Sequence, residues 1–363
     1  AGNALGSLPA EHYLPIKAIK LTDLPNPEEY KKALGAFIWD ADEELHSDFF
    51  IGNNASWWLK DRIADSPLFL QIGFPGPHPP YDPTDEFLAI YKDTEFPHRA
   101  ASQEELAQQP KMHQQLRQSM VDFNIDSVAW RENLADEDIQ QLHRYYAANV
   151  SMIDQKVGQI LDCLDKQGHL ENTIVIFCSD HADALGEHGH IQKWTMYDCV
   201  TRVPLVFWAP NQIKQQQQCD DLVQLMDIAP TILQFAGIDP PSNWEALAMN
   251  KMLTSGCWDE QDPNEKLRDY VYAELGRDHI QSGAEYVIMR RDNCWKYVIY
   301  PGTQDGELYD LQNDPNETEN LWHDPQFLEQ RKDAMIEILA WSNLGNFRGN
   351  RPLPKNPQTP MKI

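Results

Sequence analysis

The sequence predicts an α/β protein in two parts: a mixed or parallel sheet between helices, then a smaller C-terminal α+β subdomain built on an antiparallel sheet. Three observations carry this. The run TIVIF (173–177) is an unbroken apolar stretch and LFLQIGF (68–74) a second, largely apolar one, the pattern of strands buried on both faces. Ile139, Leu142, Tyr146, Val150, Ile153, Val157, Ile160 and Leu164 recur at three- and four-residue steps, the stripe of one long amphipathic helix. Beyond residue 269 the period shortens to two in YVYAEL, YVIMRR, CWKYVIY and ELYDL, aromatic-rich runs separated by turn residues.

In chain order, residues 1–36 are turn-rich and show no periodicity. A helix is expected over about 40–61, then the 68–74 strand, which breaks into PGPHPPY. Four prolines and a glycine there hold His78 in a rigid loop at a strand's carboxyl end. Residues 84–134 are polar and Gln-rich and read as an irregular insertion. Asp136 is expected to N-cap the long helix and Gly168 to end it. The 173–177 strand, a third in RVPLVFWAP (202–210), and a helix over about 221–236, kinked or broken by Pro230, complete a first domain, 1–245. The antiparallel subdomain spans 265–345 with a covering helix near 325–341, and 346–363 is a Pro-rich tail.

Composition narrows the function. The chain of 363 residues is 42% hydrophobic, enough for a folded globule, and no stretch approaches a membrane-spanning apolar run. A net charge of −26 disfavours a nucleic-acid partner, which needs a basic face, so an anionic substrate has to be drawn in by local positive charge. Cys163, Cys178, Cys199, Cys219, Cys257 and Cys294 are scattered and read as free buried thiols, not a disulfide framework. Asn54, Asn149 and Asn316 stand in glycosylation-type triplets, which chance also produces.

The chemistry concentrates in SDHADALGEHGHIQKW, 179–194, directly after the 173–177 strand. Open α/β sheets bind ligands at the carboxyl ends of their strands. Asp180 and His181 in tandem form a candidate metal pair, and their mixed oxygen and nitrogen donors leave Ca²⁺, Mg²⁺, Mn²⁺ and Zn²⁺ open. Lys193 offers a point charge suited to a sulfate or phosphate oxygen. His188 and His190 read either as further pocket groups or as a polar loop, and Trp194 either as a stacking surface or as packing.

These segments resemble the sulfatases of the alkaline phosphatase superfamily. The SDH segment through LGEHGHIQKW and YDCVTRVPLVFWAP is similar to the block carrying two metal ligands and a sulfate-binding lysine. FLQIGFPGPHPPYDP resembles the block whose histidine contacts the sulfate, VQLMDIAPTILQFAGI the helix after the third strand, and ELYDLQNDPNETENL the C-terminal signature. The resemblance implies an alkaline-phosphatase-like core, metal ligation by Asp180 and His181, usually of Ca²⁺, and catalytic contacts from His78 and Lys193. It places the loop of Arg277, Asp278 and His279 over the pocket as candidate substrate contacts. Ala182 stands where most relatives have glycine.

One expected motif is absent. The family's Cys- or Ser-x-Pro-x-Arg segment, whose first residue becomes a formylglycine nucleophile, has no counterpart: Cys199-Val200-Thr201-Arg202 lacks the proline, and in Ser7-Leu8-Pro9-Ala10 the arginine is replaced by Glu11. The expectation is therefore a chain that starts after the family's catalytic N-terminal portion. The resemblance implies hydrolysis of a sulfate ester on a small molecule or saccharide. Alternatives are a phosphodiesterase or phosphonate monoester hydrolase of the same superfamily, and an inactive remnant or binding protein. A periplasmic or secreted location follows from the family, with a cytoplasmic one and a homo-oligomer left open.

Overall fold

The structure, a computed structural model, describes residues 34–61, 66–122, 134–214, 218–255, 266–276 and 284–350. In order these form α1 (Ser47–Asp61), α2 (Asp85–Tyr91), α3 (Gln103–Gln108), α4 (Lys111–Asp122), α5 (Asp136–Lys166), β1 (Val175–Cys178), α6 (Asp198–Thr201), β2 (Leu205–Trp208), α7 (Ile228–Phe235), α8 (Asn250–Ser255), β3 (Val271–Gly276), β4 (Tyr286–Arg291), β5 (Trp295–Ile299), β6 (Gly306–Asp310) and α9 (Leu328–Asn350). The chain divides into two compact units, 1–98 with 118–160, and 99–117 with 161–363.

In the first unit Phe49 of α1, Phe87 of α2, and Ala148 and Met152 of α5 form the core. Lys156 is buried on α5, its Nζ 2.9 Å from Asn53 Oδ1 and 3.8 Å from the Phe49 ring centroid. Its stem runs past Gly52, where a Cβ would stand 2.6 Å from the Lys156 Cβ, so α1 needs glycine at this approach. The start of α5 differs from expectation. Asp136 is its first residue, and Asp138 reaches back to accept the Ala135 N–H at 2.9 Å. Gly168 ends the helix at φ +71, with the His169 N–H on the Leu164 carbonyl. Asn149 is buried and so is no glycan acceptor.

Two strand expectations need correction. Residues 68–74 join no ladder among the described residues, and Leu68, Phe69 and Leu70 are exposed. β1 pairs antiparallel with β2 in a two-stranded sheet, Val175 opposite Trp208, and Phe177 and Val206 are exposed. Burial on both faces requires strands and helices alongside, and an apolar run cannot supply its own neighbours. The 84–134 stretch is not irregular: it contains α2, α3 and α4. Pro230 neither kinks nor breaks its helix, because α7 begins at Ile228 and the proline sits in the first turn, where its missing N–H has no helical partner to lose.

The second unit is built on the antiparallel sheet β3–β4–β5–β6. Alternation along the strands buries both faces. Val287, Met289 and Val298 pack with Met112, Met196 and Tyr300 on one side. Ile288, Tyr297 and Leu308 pack on the other with Trp322 and with Ala334 and Ile338, one turn apart on α9. The five described cysteines form no disulfide, and only Cys163 is buried.

Candidate functional site

Asp180, His181 and Lys193 line one open cavity of the second unit, of about 1600 Å³, which also touches β2 and β3. Local hydrogen bonds fix its acidic corner. Ser179 Oγ donates to the His181 carbonyl at 2.8 Å, and Asp180 Oδ1 accepts the His181 N–H at 2.9 Å. This leaves Asp180 Oδ2 3.6 Å from His181 Nε2, with the Asp180 side chain 85% exposed. The His181 Nδ1–H donates to the Ala182 carbonyl at 3.0 Å, so Nε2 carries the lone pair. An oxygen and a nitrogen so spaced fit as two donors to one divalent cation, and the described residues add no third donor beside them.

Between Asp180 and Lys193 the chain coils tightly. Asp183 Oδ1 accepts the N–H groups of Leu185 and Gln192, and Gly186 N–H bonds the His190 carbonyl. Leu185, Gly186, His188, Gly189 and Gln192 all take positive φ. At Gly189, φ +71 favours glycine, and an added Cβ would also lie 2.8 Å from Leu106 Cδ2 of α3. Lys193 emerges half-buried, its Nζ 5.9 Å from the Trp194 ring, and pairs with no carboxylate among the described residues. Trp194 also borders the cavity but is only 5% exposed, so most of its ring is packed away.

The same coil turns His188 and His190 inward, and neither lines the cavity. This corrects the expectation of two substrate-binding pocket groups. His188 Nδ1 lies 2.7 Å from Glu105 Oε1, which Arg99 also grips with both terminal nitrogens. Burial opposes ionisation of Glu105, but the hydrogen bonds from His188 and Arg99 outweigh it and hold the carboxyl down at about 2. His190 packs edge-on to His113 at 4.9 Å. Burial, reinforced by Arg117 and His188, pushes His113 down to about 3, and burial drives His190 well below the usual histidine range.

Sequence reasoning missed the clamp behind the cavity. Lys296, wholly buried on β5, donates to the Met196 carbonyl at 2.9 Å and contacts Asp198 and Glu317, while Arg291 of β4 grips Asp198 from the other side. It fixes 196–198, three residues beyond Lys193. A signal was present: in CWKYVIY a lysine occupies an alternation position flanked by apolar ones.

His78 belongs to the first unit. It is exposed between Gly76-Pro77 and Pro79-Pro80, both cis, and Gly76 N–H is tied to Asp48 Oδ1 at 3.0 Å. Its Nδ1–H donates to the Pro79 carbonyl at 2.8 Å, leaving Nε2 to solvent. Arg277 and His279 lie outside the described residues.

The family model described as Sulfatase matches residues 19–238, and that of the N-sulphoglucosamine sulphohydrolase C-terminal region matches 186–342. The chain belongs to the sulfatase family, within the alkaline phosphatase superfamily. It is 27% identical over 333 residues to an arylsulfatase of Clostridium perfringens, covering 89% of this chain and 64% of that protein. An N-acetylglucosamine-6-O-sulfatase of Bacteroides thetaiotaomicron is 32% identical over 196 residues, 54% of this chain and 35% of that one. The chain thus spans about one to two thirds of these relatives. A phosphonate monoester hydrolase of Agrobacterium radiobacter shares the fold at TM-score 0.72 and 24% identity, over 84% of this chain and 62% of that one. A structure described as a complex with its substrate D-glucosamine-2-N,6-O-disulfate does so at 0.67 and 23%, over 85% and 72%.

Proposed function

We propose that this chain is the anion-binding part of a sulfuric ester hydrolase acting on a sulfated saccharide. The observation that carries the reading is Lys193, an ammonium unpaired among the described residues on the wall it shares with Asp180 and His181. An anion held between a lysine and a cation site is what hydrolysis of a charged ester requires. Membership of the sulfatase family supports sulfate, and relatives named for glucosamine-type substrates support a saccharide.

In this reading Asp180 Oδ2 and His181 Nε2 supply two donors to a divalent ion, Ca²⁺ by the family resemblance, with Mg²⁺, Mn²⁺ and Zn²⁺ left open by the mixed donor pair. Bound there, the ion acts as a Lewis acid toward the ester oxygens. Lys193 donates its N–H groups to the bridging oxygen and stabilises the charge that develops on the departing alcohol. Trp194 holds that ammonium in place, and the clamp from Lys296 to Asp198 fixes the next turn. The sulfate contact of His78 rests on the family resemblance alone. The nucleophile is a formylglycine carried outside this sequence, and export to the periplasm or beyond the cell belongs to the same proposal.

The test assays the full-length protein in parallel on an aryl sulfate, N-acetylglucosamine 6-sulfate and a phenyl phosphonate monoester. Higher kcat/KM on a sulfate ester supports the proposal. Preference for the phosphonate would reassign it to the phosphonate monoester hydrolases, and turnover of none would leave a binding protein or inactive remnant.

A further inference from the structure

A second group of metal-capable side chains lies apart from the cavity. Ligand atoms of Glu187, His188 and Cys199 all fall within 4.8 Å of one another, the one such group among the described residues. None of the three lines the cavity of Asp180 and Lys193. We propose that Glu187, His188 and Cys199 form a separate site for a transition-metal cation of the Zn²⁺ type, whose ion staples together the two ends of the segment bearing Lys193 and Trp194.

His188 carries the argument furthest. Glu105 Oε1 accepts its Nδ1–H at 2.7 Å, so Nε2 is the ring nitrogen left for a metal. A carboxylate on one ring nitrogen is the usual orienting partner of a metal-bound imidazole at the other. Arg99 holds that carboxylate in turn, the His188 ring stacks on Tyr197 at 3.7 Å and 3°, and Gln109 donates to the His188 carbonyl at 2.8 Å. The imidazole is thus fixed by Glu105 and Tyr197, and its backbone by Gln109.

The other two donors are anchored as well. Glu187 makes a backbone bridge to Ala100, and Cys199 sits on α6 beside the clamped Asp198. A nitrogen, an oxygen and a sulfur are the donor set of Zn²⁺ and its neighbours, whereas Ca²⁺ and Mg²⁺ take oxygen. Zinc bonds of about 2.0–2.3 Å put tetrahedral donors roughly 3.5 Å apart, so the three close by about an ångström, with the fourth position left to water. Their backbone is held, but Glu187 and Cys199 are both only half-buried, so side-chain rotation supplies that movement. Binding requires the thiolate, so the Cys199 proton leaves to solvent as the sulfur–metal bond forms. Burial, with Glu187 and Glu317 nearby, pushes the Cys199 thiol up; the same carboxylate charge attracts a cation.

The inference does not depend on the sulfatase chemistry, and cobalt distinguishes the two sites because only one contains sulfur. Titrating the full-length protein with Co²⁺ should produce a saturable thiolate-to-cobalt charge-transfer band. The band should vanish in Cys199→Ser and persist in Asp180→Ala. Absence of the band in the wild type, its survival in Cys199→Ser, or its loss in Asp180→Ala would overturn the proposal. Should Cys199→Ser not fold, zinc-edge X-ray absorption of the Asp180→Ala protein, in which the other cation site is disabled, loaded with one equivalent decides. One sulfur and at least one imidazole around the ion are expected, and a shell of oxygen and nitrogen alone contradicts the site.

Discussion

Lys296 Nζ lies 2.5 Å from Asp198 Oδ1 although the lysine side chain is wholly buried. The same ammonium contacts Glu317, so one cation serves two carboxylates behind the cavity wall. Burial resists the charge on Asp198, and Lys296 and Arg291 overcome it and hold that carboxyl down. Replacing Lys296 by methionine preserves the packing and strands the carboxylates, which should cost about 3–5 kcal/mol. Urea unfolding of Lys296→Met measures this. A loss below about 1 kcal/mol, the scale of an exposed pair, would show that the clamp carries no weight.

Acid sensitivity should trace in part to His113. Its folded value of about 3 lies below the ordinary histidine value of 6.5, so the unfolded chain binds more protons between these limits. Its contribution is therefore complete above pH 6.5 and is lost as pH falls toward 3, with a slope of at most about 1.4 kcal/mol per pH unit. Glu307, which burial pushes up, opposes this slope, so the comparison is with His113→Asn. Unfolding free energies measured from pH 7 to 5 should fall more steeply in the wild type than in the variant. Parallel slopes would contradict the assignment.

In the first unit, Gly52→Ala should cost roughly 1–3 kcal/mol, because the new Cβ meets the stem of Lys156 at 2.6 Å and not a flexible chain end. Thermal unfolding checks it. An unchanged Tm would mean that α1 and α5 can separate freely.

Asp180→Asn should leave the metal-free stability within about 0.5 kcal/mol, since its side chain is 85% exposed. Saturating Ca²⁺ should stabilise the wild-type protein by about 2.7 kcal/mol at a hundred times Kd, and the variant by much less. Equal Ca²⁺-induced shifts in Tm would remove Asp180 from the ligand set.

What the sequence revealed depended on the range of the interactions. The helix α5 and the four-stranded sheet were legible because their periodicities are local, as in the stripe from Ile139 to Leu164. The helices within 84–134 were hidden by glutamines, yet Met112, Leu116 and Met120 at four-residue steps mark a buried face. Asp180, His181 and Lys193 were legible as chemistry beyond an apolar run. His188 and His190 were not, because their direction depends on a coil of positive φ angles and on Glu105, 83 residues before His188. The 68–74 and β1 runs show the same limit: apolar residues announce burial, but only their neighbours provide it.

The central claim is that Lys193 faces the ester. In the full-length protein, Lys193→Ala should lower kcat/KM on a sulfate ester by roughly two or more orders of magnitude, as expected for loss of a charge-stabilising donor. Its Tm should stay close to wild type, because the half-buried ammonium has no carboxylate partner among the described residues. Near-wild-type turnover in a folded Lys193→Ala protein would contradict the account.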